Sequence, residues 1–349
     1  MLENNANIKK EDAVKIASFF CTLAFAVLKS CEDQPTPDSA PKKIKSPVET
    51  LPKKNVQVKS TATFKIPIDN LSNITWPNFL KAHEKKEGTI IESRSKGITS
   101  KYTLVNDTDN DITLTEFDCA VLNAAISIKN AGNEFTTPEI IYRTLGGGHV
   151  LTAAMRTNII NSLERLAVVR ITVDMHDAKK KLGYGIDRNK TSFTGYLMPT
   201  ERIDTKINGQ PVTSIHFLKQ GIILSMSDMR DQLITCDQSL LNAPIRHTQR
   251  GIALHHYLLR RTLEIKGSHE SHKSNSRVKP LRKVIAFETM LKKCGLENSS
   301  REQRRNIKKI AEIILNFFVE QNVISSYTFN VRERGKLHSI IIEFPTFSC

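Results

Sequence analysis

The segment of residues 114–174 places the strictest limits on how this chain can fold. Apolar residues recur at helical spacing over residues 117–126, and Thr115 stands where it can cap that helix. Thr136 or Thr137 can cap a second short helix, and apolar residues recur again over residues 150–166. The residues that follow alternate between apolar and polar as a strand does. We therefore predict three short helices followed directly by a strand, which is the element order of a winged helix-turn-helix.

The third of these helices has an apolar face and a polar face. Met155, Ile159 and Leu163 share the apolar face. The opposite face carries hydroxyl, amide and guanidinium groups, and Asn and Arg side chains can pair with base edges in a major groove. The alternative is a small helical unit whose polar face only meets water. The residues predicted to contact DNA are Thr157, Asn158, Asn161 and Arg165.

The composition narrows the class of partner. The chain has 349 residues, which is enough for two or three domains with cores of their own. Lys and Arg number 51 against 36 acidic residues, a formal net charge of +15, and this excess favours nucleic acid or an anionic membrane surface. The six cysteines include no Cys-x-x-Cys pair, so we expect neither a zinc site nor a disulfide framework. Such cysteine usage fits the reducing cytoplasm.

The N-terminal part of the chain differs from the rest. Residues 1–31 are predicted to form an apolar helix, because residues 16–28 contain no charged side chain. This stretch has the length of a signal-peptide core and is too short to span a bilayer comfortably, so an anchor segment and a packed helix both stay open. Residues 32–63 are rich in Pro and Lys, which predicts a flexible linker.

A basic loop follows the first strand and predicts a wing. Lys179, Lys180 and Lys181 lie between two segments with strand patterning. Wings place such side chains against the DNA backbone, where they add salt-dependent affinity. An ordinary solvated hairpin is the alternative. Asn208-Gly209, between two further alternating runs, is a strong signal for a second hairpin.

The second half of the chain repeats this order of elements with a denser positive charge. We predict a long helix over residues 246–265, a charged hinge-like stretch over residues 266–283, and a short helix over residues 287–294 that Gly295 ends. A third helix then runs to about residue 321, and a hairpin follows it. The outward cations of this helix and of the hairpin tip are the predicted DNA contacts: Arg301, Arg304, Arg305, Lys308, Lys309, Arg332, Arg334 and Lys336.

Together these patterns predict an α+β fold with two winged helix-turn-helix domains in tandem after a flexible N-terminal arm. The first domain, with an N-terminal extension, is predicted to cover residues 64–223, and the second to cover residues 224–349. Two cationic units of this kind in one basic chain favour double-stranded DNA as the partner.

The sequence offers no convincing catalytic centre. Arg246-His247-Thr248 is similar to part of the tyrosine recombinase core, but Ala243 stands where those enzymes need His or Lys. The only candidate for their Tyr nucleophile, Tyr327, falls in a predicted strand. His255 and His256 are adjacent on a helix and diverge by about 100°, unlike the metal-binding His pair of a rolling-circle nickase.

Patterns for ligand sites are weak as well. Gly146-Gly147-Gly148 lacks the Lys-Ser or Lys-Thr pair of a phosphate-binding loop. His269 and His272 lie in a polar stretch with no thiol nearby. We therefore predict no enzyme activity, no metal, no cofactor and no small-molecule substrate.

The long helix of the second half carries a family resemblance. Residues 246–261 read RHTQRGIALHHYLLRR, a short polar lead followed by an apolar run that ends in Tyr-Leu-Leu-Arg. This run and the doubled element order over about residues 114–344 resemble the theta-type Rep family of plasmid replication initiators. Members of that family have two winged-helix domains and bind repeated sites at an origin. The resemblance covers about two thirds of the chain.

The resemblance implies a non-enzymatic initiator whose second domain reads the major groove of a repeat. The first domain would contact the adjacent groove and mediate dimerisation, dimers would repress the protein's own promoter, and host replication proteins would be recruited. It implies base contacts from Arg301, Arg305 and Lys308, with phosphate contacts from Lys309 and the hairpin tip. Two alternatives stay open: a transcriptional regulator with the same domains and no role in replication, and a membrane-anchored interaction protein.

Overall fold

The computed structural model describes residues 63–67, 89–95, 98–106, 112, 114–148, 150–174, 192–207, 210–228, 233–274, 280–331 and 337–345. The predicted helix of residues 1–31 and nearly all of the predicted linker lie outside these residues. The same holds for three predicted DNA contacts in the first basic loop and three in the second hairpin tip: Lys179, Lys180, Lys181, Arg332, Arg334 and Lys336.

The described chain contains helices together with small, mainly antiparallel sheets, which confirms the predicted α+β class. The helices are α1 (Glu116–Asn130), α2 (Pro138–Thr144), α3 (Ala153–Val168), α4 (Ile222–Asp228), α5 (Gln249–Ser274), α6 (Phe287–Lys293) and α7 (Arg301–Glu320), with a 3-10 turn at Gln238–Leu241. The strands are β1 (Thr63–Pro67), β2 (Thr89–Ser95), β3 (Ile98–Asn106), β4 (Phe135–Thr136), β5 (Val169–Asp174), β6 (Ser192–Tyr196), β7 (Thr200–Ile207), β8 (Gln210–Phe217), β9 (Leu233–Asp237), β10 (Val284–Ala286), β11 (Ser326–Val331) and β12 (Leu337–Glu343).

The strands form four small sheets. β1 pairs with β9, and the order β2-β3-β5-β6 makes a four-stranded antiparallel sheet. Two three-stranded sheets have the orders β4-β8-β7 and β10-β12-β11. In the first of these sheets, β4 precedes α2 and pairs with β8. In the second, β10 precedes α6 and pairs with β12.

The predicted start of the first half is confirmed in detail. Thr115 is the N-cap of α1, and its backbone N–H donates to Asp118 at 2.7 Å. Gly132, with a φ of 88°, follows the end of the helix, as a residue without a Cβ can. Thr137 caps α2 and accepts a hydrogen bond from the backbone N–H of Ile140.

The turn between α2 and α3 requires glycine at its first position. Gly146 has a φ of 81°, and a Cβ there would lie 2.1 Å from the carbonyl oxygen of Leu241. Thr152 then caps α3, which continues directly into β5. The prediction of three helices followed by a strand is therefore confirmed.

One boundary prediction for the second half was wrong. The stretch predicted as a hinge from residue 266 continues as helix α5 to Ser274. Its last turns are held by the segment before β10, because Ser268 accepts the backbone N–H of Leu281 at 2.6 Å and His269 bonds to the Leu281 carbonyl at 2.9 Å. The predicted stop of α6 at Gly295 is confirmed, with a φ of 66°.

The strand pair beside β4 differs from the predicted wing. The predicted strands on either side of Lys179 to Lys181 are confirmed as β5 and β6, which pair antiparallel, but both belong to the four-stranded sheet. β4 instead pairs with β8, which lies beside β7 in the same sheet; the predicted Asn208-Gly209 turn lies outside the described residues. Pairing with β4 involves residues about 80 positions further along the chain, which no local sequence pattern specifies.

Internal contacts divide the described residues into two units. The outer part of the β7–β8 hairpin, Ile203–Ser214, is the smaller, and within it Thr213 donates to Asp204 at 2.7 Å. The larger unit holds α1 to α7 and one continuous apolar core. Because α1 packs on α5 in this core, the two predicted domains are in contact, and the boundary at residue 223 stays a prediction. Among the residues described, no helix combines the length and apolar character that crossing a membrane requires.

Candidate nucleic-acid interface

Helix α7 is strongly amphipathic, and its capping fixes where its polar face begins. The Ser300 hydroxyl accepts a hydrogen bond from the backbone N–H of Gln303 at 3.3 Å, and the side-chain oxygen of Gln303 accepts one from the backbone N–H of Ser300 at 2.8 Å. Five residues at helical spacing are buried against the core: Ile307, Ala311, Ile314, Leu315 and Phe318. The polar residues between them are consequently directed to solvent.

Three cations form a row along the exposed face of α7. Arg301, Arg305 and Lys309 are spaced four residues apart, so they lie above one another on the helix surface. All three are exposed, and within the described part of the chain none of them has an ion-pair partner. This row is free to meet a polyanion.

The other two predicted contacts on α7 are held by the protein itself. Arg304 is half-buried and donates to the carbonyl oxygens of Ser299 and Glu297 at 3.2 and 3.1 Å, and to Glu288 at 2.7 Å. It therefore ties the start of α7 to α6. The Nζ atom of Lys308 lies 4.9 Å from the centre of the Phe329 ring, a cation–π contact. The predicted DNA contacts of both residues stay predictions beside these structural roles.

The first strand of the second hairpin runs back along α7. The hydroxyl of Tyr327 donates to Asn316 at 2.7 Å, and two residues later Phe329 lies beneath Lys308. As β11 advances, its contacts on α7 move toward the helix N-terminus. The end of β11 therefore approaches the half of α7 that carries the cationic row.

Helix α3 presents a different surface. Thr157 and Asn161 are exposed and Asn158 is half-buried, so two of the neutral predicted contacts are open to solvent. The Thr157 hydroxyl donates to the carbonyl oxygen of Ala153 at 3.1 Å, which leaves only its acceptor sites for a ligand.

The fourth predicted contact on α3, Arg165, is bonded inside the protein. Its Nη2 and Nε atoms lie 2.5 and 3.1 Å from Oδ1 of Asp118, a carboxylate with no exposed surface. Ser162 donates to the same oxygen at 2.7 Å. This arrangement neutralises a buried charge on α1, and a DNA contact by Arg165 stays a prediction.

A second buried carboxylate in the same turn of α1 links that helix to α5. Glu116 accepts hydrogen bonds from Nε and Nη2 of Arg260 at 3.1 and 3.0 Å. Its Oε1 atom also lies 2.8 Å from Nδ1 of His256, whose Nε2 atom lies 2.8 Å from the amide of Asn123. Arg260 in turn donates to Glu264 at 2.7 Å. Because each of these buried charges has several hydrogen-bond partners, together they form a rigid, directional contact between α1 and α5.

The protonation states of this cluster follow from its partners. Burial raises the pKa of Glu116, but the Arg260 charge and the His256 hydrogen bond outweigh that effect and bring the pKa to about 2. Burial lowers the pKa of His256. A carboxylate only accepts, so His256 donates from Nδ1 and accepts the Asn123 amide at Nε2, as a neutral imidazole can.

Glu116, Cys119 and His256 offer ligand atoms that all lie within 4.8 Å of one another. The carboxylate is already bonded to Arg260, and the imidazole to Glu116 and Asn123. Burial also raises the pKa of Cys119, so its thiol stays protonated and is a poor ligand. A cation here would have to displace the buried guanidinium of Arg260. We therefore interpret the group as an ionic link between α1 and α5.

This link between α1 and α5 was not predicted, although the sequence of α5 contains a signal for it. His256, Arg260 and Glu264 recur every four residues within a largely apolar helix, which places them on one face of α5. Glu116 and Asp118 stand at the start of the predicted first helix, where acidic residues are common because they favour the positive end of the helix. Polar groups spaced four apart inside an apolar helix indicate a buried partner, but they do not identify it.

Comparisons with known proteins give only remote similarity. No protein-family model and no curated protein matches this sequence. Two matching solved structures contain domains 2 and 3 of RctB. One, a selenomethionine derivative, is 14% identical and aligns 78% of this chain with 97% of that one at a TM-score of 0.41. The other is 11% identical and aligns 78% with 96% at a TM-score of 0.43. Both similarities are too remote to assign a function.

Proposed function

We propose that this protein binds double-stranded DNA through two winged helix-turn-helix modules and acts as a replication initiator at repeated origin sites. The observation that carries DNA binding is the exposed cationic row of Arg301, Arg305 and Lys309 beside the β11 strand. The initiator role rests on the sequence resemblance of residues 246–261 and of the doubled element order.

The connectivity of both halves supports the two modules. The second half has the order α5-β10-α6-α7-β11-β12, and β10 lies next to β12 in its sheet. The first half has α1-β4-α2-α3, and β4 lies next to β8 of the β7–β8 hairpin. In this proposal β7–β8 takes the place of the first wing, and the β5–β6 loop is an additional basic element.

The chemistry of α7 suits a DNA groove. A helix enters the major groove with its polar face, and cations on that face contact phosphates or the acceptor atoms of guanine. Arg301 and Arg305 are proposed to contact bases, and Lys309 the backbone. Lys308, over Phe329, extends the cationic surface toward the hairpin.

The proposal describes a non-enzymatic cytoplasmic protein. A homodimer and contacts with host replication proteins are part of it, and both come from the family resemblance. A transcriptional regulator would share the same DNA-binding chemistry, so the arrangement of the bound sites distinguishes the two functions.

Sequencing of plasmid or genomic fragments retained by the purified full-length protein tests the function. Clustered direct repeats among the enriched fragments support an initiator. A single palindrome near a promoter would replace the initiator role by transcriptional regulation. No enrichment over fragments retained by an inert protein would reject sequence-specific DNA binding.

A triple substitution tests the interface. Replacing Arg301, Arg305 and Lys309 by Ala should weaken DNA binding roughly 100-fold or more in a gel-shift titration, because three direct contacts are lost. The matched control removes three exposed cations outside α7: Arg246, Arg250 and Arg282. Equal losses for the two variants would show that net charge, and not the α7 row, determines affinity.

A further inference from the structure

The first turn of α1 makes buried side-chain bonds to two other helices, α3 and α5. Glu116 and Asp118 are both fully buried and stand two residues apart. Asp118 bonds to Ser162 and Arg165 of α3, while Glu116 bonds to His256 and Arg260 of α5. One helical turn therefore connects α3, in the first half of the chain, with α5, which begins the second half.

The bond to α5 is directional. Arg260 presents two nitrogen atoms to the two oxygen atoms of Glu116 in a planar fork, and such pairs fix orientation as well as distance. His256 adds a bond to Glu116 and one to Asn123, a residue further along α1. The hydrophobic effect is non-directional, so these bonds add an orientation of α5 on α1 that apolar burial alone does not specify.

The orientation of α5 is transmitted to α7. His255, next to His256 on α5, packs against Phe317 and Phe318 of α7, with ring centroids 6.4 and 5.7 Å away. The path from α3 to α7 thus runs through Arg165, Asp118, Glu116, Arg260 and α5. Arg165 is partly exposed, whereas Asp118, Glu116, Arg260 and His255 on this path are buried.

We propose that Glu116 and Arg260 are positioning residues that set the orientation of α7 relative to α3, and so determine the spacing between the two DNA segments that the protein recognises. This inference rests on the proposed function, since it assigns the spacing of contacts made by two DNA-binding helices. Neither residue touches DNA in this scheme.

The test uses the double variant Glu116→Gln, Arg260→Met in the full-length protein. Removing both charges leaves no buried charge without a partner, and replacing a buried ion pair in this way is often tolerated. The matched control is Glu343→Gln, Lys283→Met, which removes an exposed pair of 2.6 Å and the same two charges. Both variants are checked for cooperative unfolding before binding is measured.

Binding is measured on a set of duplexes that carry the two recognised segments at a range of separations. The wild-type protein and the exposed-pair control should prefer one separation by about tenfold or more, equivalent to about 1.4 kcal/mol. The buried-pair variant should bind each isolated segment as the wild type does, but discriminate separations by less than about threefold. A folded variant that keeps the wild-type spacing preference overturns the proposal.

A second variant and a DNA-free measurement keep the test decisive. Arg260→Lys keeps the positive charge but lacks the planar fork, so it should also weaken the spacing preference. If the double variant does not fold, an unchanged spacing preference in Arg260→Lys overturns the proposal. Energy-transfer labels at positions 161 and 306, introduced as unnatural amino acids, should report a broader distance distribution in the buried-pair variant than in the wild type. An unchanged distribution overturns the proposal as well.

Different results would contradict the proposed DNA-binding function and the positioning role of Glu116 and Arg260. Wild-type protein that binds no DNA segment contradicts the proposed function. Wild-type protein that binds both segments with a spacing preference that neither variant alters contradicts only the positioning role. One equivalent of metal ion that mass spectrometry detects in the purified wild type but not in the buried-pair variant would make Glu116 a ligand and would also overturn the positioning role.

Discussion

Helices α3 and α7 have corresponding places in the two halves of the chain, but they use their charges differently. On α3 each charged side chain has a partner within the protein: Arg156 with Glu139, Glu164 with Arg202, and Arg165 with Asp118. On α7 the row of Arg301, Arg305 and Lys309 has no such partner among the residues described. The same order of elements therefore presents a neutral polar surface in one half and a cationic one in the other.

Under the proposed function, this difference predicts different tasks for the two helices. A cation that is already paired gains little by exchanging a carboxylate for a phosphate, whereas an exposed cation releases counterions when it meets DNA. We expect α7 to supply most of the affinity. We expect α3 to contribute through neutral groups such as Asn161 and through its rigid attachment to α1 and α5.

The largest predicted effect concerns the buried groups that join α1, α5 and α7, which should make folding sensitive to acid. Burial lowers the pKa of His255 from 6.5 to about 3, and burial also lowers the pKa of His256. The unfolded chain takes up protons near pH 6.5 that the folded chain excludes, so stability is retained above pH 6.5 and falls as the pH decreases toward the folded values. Below pH 4.5 Glu116 adds to this loss until the pH reaches about 2.

Urea unfolding at a series of pH values measures this effect. Each histidine should contribute a slope of up to about 1.4 kcal/mol per pH unit below its unfolded pKa. His255→Phe, which removes one titrating group, should make the dependence shallower. An unfolding free energy that is constant from about pH 7 to about pH 5 would contradict the buried, neutral state of both histidines.

Next in size is the effect of removing single arginines from the two helices. Arg165→Ala should lower the unfolding free energy by roughly 2–3 kcal/mol, because Asp118 would keep a buried charge with only hydroxyl and backbone partners. Arg305→Ala should change it by less than about 0.5 kcal/mol, since that side chain is exposed. Equal changes in the two variants, measured by denaturant unfolding, would remove the distinction between the helices.

The sequence was sufficient for features that depend on neighbouring residues. Thr115, Thr137 and Gly295 marked helix ends correctly, because capping and positive φ angles are determined within a few residues. The exposed face of α7 also followed from helical spacing alone.

The sequence was insufficient for contacts between distant residues. Arg165 is 47 positions from Asp118, and His256 is 140 positions from Glu116. Helical periodicity placed Arg165 correctly at the polar edge of α3, but a partly exposed arginine can face either DNA or a buried acid. The partner strand of β4 was missed for the same reason, since β8 lies far along the chain.

The third prediction compares the salt dependence of binding for one cation from each helix. Lys309→Ala should reduce the slope of log K against log salt by about 0.9, the value for one neutralised phosphate. Arg156→Ala should leave the slope nearly unchanged, because Glu139 already pairs with that guanidinium at 2.5 Å. Filter-binding titrations at several salt concentrations measure both slopes. A larger reduction for Arg156→Ala than for Lys309→Ala would reverse the assignment of affinity to α7.

The smallest predicted effect distinguishes base-specific contacts from overall affinity for DNA. Asn161 is exposed on α3, and replacing it by Ala changes neither net charge nor core packing, so stability and salt slope should stay constant. A lost pair of hydrogen bonds to adenine should cost about 1 kcal/mol of discrimination at one base pair. Binding to a library of single-base variants of the enriched site measures this loss, with the wild-type protein on the same library as the reference. If Asn161→Ala leaves the preference at every position unchanged, α3 reads no base through this residue, and the first half contributes to binding by holding α7 in place.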